Sequence, residues 1–311
     1  MHSLQSKLPS SEWVKERANY IGGSDVATIL GENPYSTPLQ LWLRKKGVLP
    51  PIEETPILRF GHFFEQILAI HFEETTGLKT RQVNKTYEHS TYAFLRANID
   101  RMVLADPKKG LESTAVLELK TTTSHRLGAL GGEYPKEWIF QTQHYLGITG
   151  YSQAYLQCYE RDTCKFHDPV LIKRDNNLIA ENMGKLIVWW DTHMVNGKRP
   201  EPINSEDTLI LYPNSYDGKT VEATPAVYSL YTELKGIRER KADLEKMEEY
   251  LKVHIQDKLQ SGERLVCGGK NLVSWKSSSQ NRLDTKALKE AHPNLYKQHL
   301  KETKTRRFTV H

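Results

Sequence analysis

Cysteine is scarce in this chain, with three in 311 residues: Cys158, Cys164 and Cys267. Three thiols cannot build a disulfide framework or a four-cysteine iron-sulfur cluster, and their spacing matches no zinc site, so they are read as reduced packing residues. Long apolar runs are missing as well. No segment reaches the ~20 apolar residues of a membrane span, and the opening MHSLQSKLPSSEWVKER lacks the apolar stretch of a secretory signal, so a cytoplasmic protein with no membrane partner is expected. Excess charge is small: +5 formally, with a pI near 8.8, short of the ~9 that marks a wholly basic nucleic-acid domain. Such a balance permits nucleic acid, but a polyanion would have to be met by a local groove. There is no internal repeat and no low-complexity tract.

What remains is a chain with 38% hydrophobic residues, enough to bury a real core. Its first third reads as helix, glycine turn and helix in WVKERANYIGGSDVATIL, with Ser24 or Asp25 as the cap. LQLWLRKKG is a short amphipathic helix stopped by Gly47, and a longer helix is expected from about Leu58 to Thr76, closed by Gly77. RQVNKTYEH, YAFLRANIDRMVLA and AVLELKTTT read as strands, PKEWIFQTQHYLGITG as a helix, YSQAYLQCYER and KFHDPVLIKRD as a hairpin, and NNLIAENMGKLIVWWDTHMVNG as another helix. This order predicts an α+β fold, a mixed sheet flanked by helices, over residues 1–213. Residues 214–311 read as a helical extension. Thr224-Pro225 starts a long helix whose apolar stripe runs from Leu230 to Leu259 and suits half of a coiled coil; RLVCGGKNLVSWK follows as a small hairpin, LDTKALKEAHPNLYKQHL as a short helix and KTRRFTV as a possible final strand.

Charged residues inside the strand segments carry the chemistry. In VLELK, Glu118 and Lys120 are two apart and project from one face, while Leu117 and Leu119 enter the core. Asp100 lies at the end of a neighbouring strand segment, and a hairpin-like connection through PKKG would bring it beside Glu118. Two carboxylates that close repel unless a cation sits between them, and oxygen ligands select a hard ion, Mg2+ or Mn2+. A lysine beside them can orient a water or stabilise charge on a phosphate. Downstream, Gln141 and Tyr145 lie four apart on one helical face, and Gln143 and His144 could also face the site. Upstream, Glu65 shares a helix face with Leu68 and Phe72. Near the start, Arg17 offers a guanidinium fork for phosphate oxygens, and Ser24 stands at the front of a helix whose unpaired N–H groups favour an anion.

The pattern Asp100, then Glu118-x-Lys120, resembles the restriction-enzyme-like PD-(D/E)xK nucleases, with Asn98-Ile99-Asp100 lacking the nominal proline. Gln141 and Tyr145 resemble the Gln-xxx-Tyr motif of its RecB-like branch. R-x-x-x-IGGSD, NPY-x-TP-x-x-LW, G-x-x-x-E, Asp, E-x-K and Q-x-Q-x-Y, in that order from Arg17 to about Asp162, closely resemble the YqaJ-type viral recombinase family, relatives of phage lambda exonuclease. The resemblance covers roughly half the chain. It implies a restriction-endonuclease-like core and a metal-dependent exonuclease that digests linear double-stranded DNA from its 5′ ends. The resulting 3′ single strands would serve a single-strand annealing protein in phage-type recombination, in the cytoplasm of a bacterial host.

By that resemblance Asp100, Glu118, Lys120, Gln141, Gln143 and Tyr145 are catalytic. Glu65, Asp100, Glu118 and the carbonyl of Leu119 would hold one or two Mg2+ or Mn2+ ions, and Arg17 and Ser24 would bind the 5′-terminal phosphate. A homo-oligomer is implied too, a ring trimer in the lambda type. Two other readings stand beside it: an endonuclease of the same fold, and a DNA-binding recombination assembly protein with a decayed site. His62, His71 and His144 lack zinc spacing and are read as polar or packing residues, and Trp189-Trp190 as a core or interface pair. KTRRF at 304–308 reads as a basic terminus, solvated or on DNA backbone.

Overall fold

Thr37, Thr55 and Thr224 each precede a proline, and each opens a helix. Proline's fixed φ suits the first helical turn, and the threonine hydroxyl satisfies an orphan N–H there. In the computed structural model, which describes residues 16–129, 134–301 and 305–311, the three hydroxyls accept from the N–H groups of Gln40, Leu58 and Val227. The described chain divides into two compact units, one up to Thr208 and one from Leu209 on.

The first unit begins with α1 (Gly23–Ile29), α2 (Pro38–Lys45) and α3 (Pro56–Thr76). Of the helix expected before Ile21, residues 12–15 lie outside the described residues. Four short strands follow: β1 (Thr80–Gln82), β2 (Tyr87–Glu88), β3 (Arg96–Ala97) and β4 (Arg101–Val103). The sequence predicts two longer strands here. Each is broken because the chain changes partners midway: β2 pairs only with β3, while β1 pairs with β4 in the main sheet. Then come β5 (Ala115–Thr122), α4 (Ser124–Ala129), α5 (Lys136–Thr149), β6 (Gln153–Glu160), β7 (Lys165–Phe166), β8 (Val170–Lys173), α6 (Asn176–Trp189) and α7 (Ser205–Leu211). The main sheet runs β1-β4-β5-β6-β7, with β8 also on β6. β5 and β6 are parallel and the other pairs antiparallel, which is the expected mixed α+β sheet flanked by helices.

Side chains alternate along β5, so its two faces enter different layers. Leu117 and Leu119 join Leu68, Ala69 and Phe72 of α3, while Val116 joins Tyr145 and Leu146 of α5 and Ile179 of α6. Leu68, Phe72, Leu117 and Leu146 are fully buried, each worth about 1.5–3 kcal/mol relative to exposure. Trp189 lies in a third cluster with Ile21 and Leu95, and Trp190 stacks on Phe94 at 4.9 Å, so the tryptophan pair is a core feature. Cys158 is buried as expected. Cys164 and Cys267 are exposed, so they are not packing residues: each lies beside a turn that faces solvent.

The second unit holds α8 (Pro225–Leu259), the hairpin β9 (Arg264–Cys267) and β10 (Lys270–Ser274), α9 (Thr285–Ala291) and α10 (Pro293–Gln298). Gly268 and Gly269, both at positive φ, form the two-residue turn that matches strand twist. The single helix expected over 283–300 is divided at His292 because Pro293 cannot continue it. Residues 305–311 form no strand; Tyr231 Oη donates to the His311 carbonyl, and Arg238 lies over the Phe308 ring. Lys304 lies outside the described residues.

Candidate active site

Arg101 of β4 lies opposite Leu117 of β5. One step along the same antiparallel register places Asp100 opposite Glu118. Asp100 does not end a strand as the sequence suggests; it occupies the bend before β4, where the chain leaves the β2–β3 ladder for the main sheet. Although Asp100 is exposed as a whole residue, its carboxyl is held above the ordinary carboxylate range, by desolvation among neighbouring groups and by the negative charges of Glu65 and Glu118, against the pull of Lys120 and His62. Three carboxylates from a helix, a bend and a strand therefore share one electrostatic neighbourhood.

Glu118 is 1% exposed. Its Oε1 is 2.6 Å from Lys120 Nζ and accepts from Gln141 Nε2 at 2.8 Å. Lys120 Nζ in turn donates to Gln141 Oε1 at 3.0 Å, and Gln141 Nε2 also reaches Tyr145 Oη at 2.9 Å. The two-residue period of β5 and the four-residue spacing on α5 thus converge, as expected, into one network. Burial, together with the charges of Glu118 and Asp100, raises the Tyr145 phenol well above its ordinary range, so it stays neutral.

Arg17 and Ser24 also come together: the guanidinium donates to the Ser24 hydroxyl and lies 3.6 Å from Asp25 Oδ1. They stand close to the carboxylate network because α1 begins against α5. A Cβ on Gly23 would lie 2.8 Å from Tyr145 Cζ and 3.0 Å from Gln141 Cγ, so this approach requires glycine. Ile21 bridges to Leu95 beside β3, and Asn98 Nδ2 donates to Tyr20 Oη at 2.9 Å, which ties the IGGSD segment to the chain entering Asp100. The cap expected at Ser24 or Asp25 is instead Gly22, with the Asp25 carboxylate accepting from the Gly22 N–H at 3.1 Å. Ser24 is exposed, leaving its hydroxyl to Arg17.

Two expectations fail. Gln143 lies about 200° around α5 from Gln141, at ~100° per residue. Its amide donates to the Lys173 carbonyl at 2.8 Å and its oxygen accepts from Asp175 N–H at 3.0 Å, so it fastens the start of α6 and does not join the site. His144 likewise points away; its Nε2 pairs with the Arg96 carbonyl at 2.9 Å, and burial lowers its pKa to about 4, keeping it neutral.

One residue read as polar or packing lies near the site. His62 Nδ1 lies 3.4 Å from Glu65 Oε1, and its pKa is raised, most by that carboxylate, with Asp100 contributing. The signal was the three-residue spacing from Glu65 on one helix. His71, in contrast, stacks on Phe166.

The donor set fits a hard cation. Glu118 Oε2 is buried without a hydrogen-bond partner among the described residues, a costly position for a carboxylate oxygen unless a cation meets it. Leu119 buries its side chain on the opposite face, so only its carbonyl could contribute. Among the described residues no three His, Cys, Asp or Glu side chains already close into a metal-holding group.

The YqaJ-like viral recombinase domain matches residues 12–152, which contain the whole of this network. The uncharacterized protein YqaJ of Bacillus subtilis (strain 168) is 33% identical over 313 residues, 98% of this chain and 95% of that protein. The chain belongs to the YqaJ-like viral recombinase family. The uncharacterized protein R354 of Acanthamoeba polyphaga mimivirus is 25% identical over 189 residues, 58% of this chain and 34% of that protein. Among solved structures, the chain is similar to the alkaline exonuclease LHK-Exo from Laribacter hongkongensis in complex with dAMP, at 20% identity over 60% of this chain and 94% of that one, with a TM-score of 0.49. It is also similar to a phage-related exonuclease from Haemophilus somnus 129PT, at 14% identity over 58% and 96% of the two chains, with a TM-score of 0.40.

Proposed function

We propose that this YqaJ-family nuclease is a divalent-metal-dependent 5′-to-3′ exonuclease on linear double-stranded DNA that leaves 3′ single strands for an annealing protein. The observation that carries this reading is the placement of the Arg17–Ser24 pair against the Glu118–Lys120–Gln141–Tyr145 network through Gly23. A guanidinium and a hydroxyl beside a hydrolytic centre suit a terminal phosphate, a group that only a DNA end presents.

Glu65, Asp100 and Glu118, with the Leu119 carbonyl, would hold Mg2+ or Mn2+, one ion or two. Bound there, the metal would polarise the phosphate and supply a nucleophilic water at neutral pH. Lys120 directs its ammonium at the same point and neutralises charge that develops on the phosphate. Gln141 bridges Glu118 and Lys120, so the two cannot rotate independently. Tyr145 remains a neutral donor and acceptor that holds the Gln141 amide. Duplex ends would be its substrate and an annealing protein the user of its product, and a ring-shaped homo-oligomer would keep the enzyme on its substrate.

The test compares linear duplex with a 5′ phosphate, linear duplex with a 5′ hydroxyl and closed circular duplex, each with Mg2+ and with EDTA. Nucleotide release only with metal, only from ends and faster from the phosphorylated end is the expected result. Nicking of the circle would make the protein an endonuclease.

A further inference from the structure

Lys45 is a charged residue with almost no access to water. Its side chain is 3% exposed, and its Nζ donates to the carbonyls of Arg17 at 3.1 Å and Tyr20 at 2.5 Å and to Asp25 Oδ2 at 3.0 Å. Asp25 is equally buried and faces two cations, with Lys45 on Oδ2 and Arg17 3.6 Å from Oδ1. Buried ion pairs are poor stabilisers, since an apolar pair of similar volume often does as well, so their presence calls for another explanation.

We propose that Asp25 and Lys45 are positioning residues for selection of the 5′-terminal phosphate, acting through Arg17. This rests on the reading of Arg17 and Ser24 as the phosphate clamp. The geometry supports it. Lys45 fixes the backbone of Arg17 at its carbonyl, and Asp25 fixes the guanidinium, so both ends of the Arg17 side chain are set before DNA arrives. Arg17, whose side chain is one-third exposed, is the member of the three that reaches solvent.

The experiment measures initial rates for the wild type, Lys45→Met and Asp25→Asn on duplexes with 5′-phosphate and 5′-hydroxyl ends, over a range of end concentrations with Mg2+, alongside thermal melts. The expected result is a KM on phosphorylated ends raised about tenfold in both variants, the size of one weakened charge-assisted hydrogen bond. The KM on hydroxyl ends should move far less, and kcat on phosphorylated ends should change less than KM. Lys45→Arg, which keeps the charge and guards against a chain that fails to fold, should lose only about two- to threefold, because a planar guanidinium cannot serve all three acceptors equally. Equal losses on both kinds of end would assign the pair a structural role alone and overturn the proposal, as would unchanged selectivity. A wild-type protein that treats both ends alike would instead sink the clamp reading itself, and this proposal with it.

Discussion

Glu118 has one carboxylate oxygen in a network and the other with no hydrogen-bond partner among the described residues. Replacing it by Gln keeps the shape and removes the charge; we expect hydrolysis to fall about a thousandfold while DNA binding measured in EDTA persists. Lys120→Ala should cost about 10²- to 10³-fold for the same reason, and continued cutting by that protein would overturn the role given to the lysine. Gly23 is constrained differently. A methyl group there meets Tyr145 and Gln141 at once, so Gly23→Ala should destabilise the fold by about 1–3 kcal/mol and slow cleavage by shifting Gln141. A melt and a rate measured together would check both parts. Glu118, Lys120, Gln141 and Tyr145 were legible in the sequence because strand and helix periods alone decide which neighbours share a face. Gln143 was read into the site from the resemblance and against that period, since two residues along a helix is nearly the far side. Lys45 beneath Asp25 did not follow from local pattern, because it depends on which long side chain another element brings near, whereas His62, three residues from Glu65 on the same helix, carried a local signal that went unused.

At the scale of elements, the three Thr-Pro helix starts follow from local chemistry, and Thr224→Ala should cost α8 about 1 kcal/mol, read by circular dichroism melting. Helix α1 depends on longer reach. Burial disfavours the Asp25 carboxylate, yet Lys45 and Arg17 outweigh that and hold its pKa below the ordinary value. A carboxyl whose folded pKa lies below its unfolded one, ~3.9, lends stability that is complete above the unfolded value and is lost as pH falls through the folded value. The wild type should therefore lose stability below about pH 4 with a slope that Asp25→Asn reduces, measured by urea unfolding across acid pH. The broken strands β1 to β4 were read as two continuous ones. Alternation marks a strand, but it does not say which neighbour the strand pairs with, and here the partner changes within a few residues.

For the molecule as a whole, the negative charges of Glu65 and Glu118 both act on Asp100, a repulsion that a divalent cation bound among them would offset. Adding Mg2+ or Mn2+ should raise the melting temperature of the wild type, by linkage of binding to folding, and EDTA should reverse it. Glu118→Gln should lose most of that shift; an equal shift in both proteins would place the ion elsewhere. No helix among the described residues is long and apolar enough to cross a membrane. The apolar stripe expected along α8 is present and solvent-facing, with Leu230, Leu244, Met247 and Leu251 between 59% and 65% exposed.

The sequence by itself determined where most helices start and stop, which face of β5 carries Glu118 and Lys120, and that Gln141 and Tyr145 share a side, because these follow from the geometry of one element and its nearest residues. Only the tertiary structure decided that Asp100 precedes a strand, that Gln143 fastens α6, and that His62 joins the carboxylates. It alone placed Lys45 and Asp25, 20 residues apart, in one buried pair beneath Arg17. Those outcomes depend on how separate elements pack, and burial and charge act on whatever packing brings within a few ångströms, at any distance along the chain.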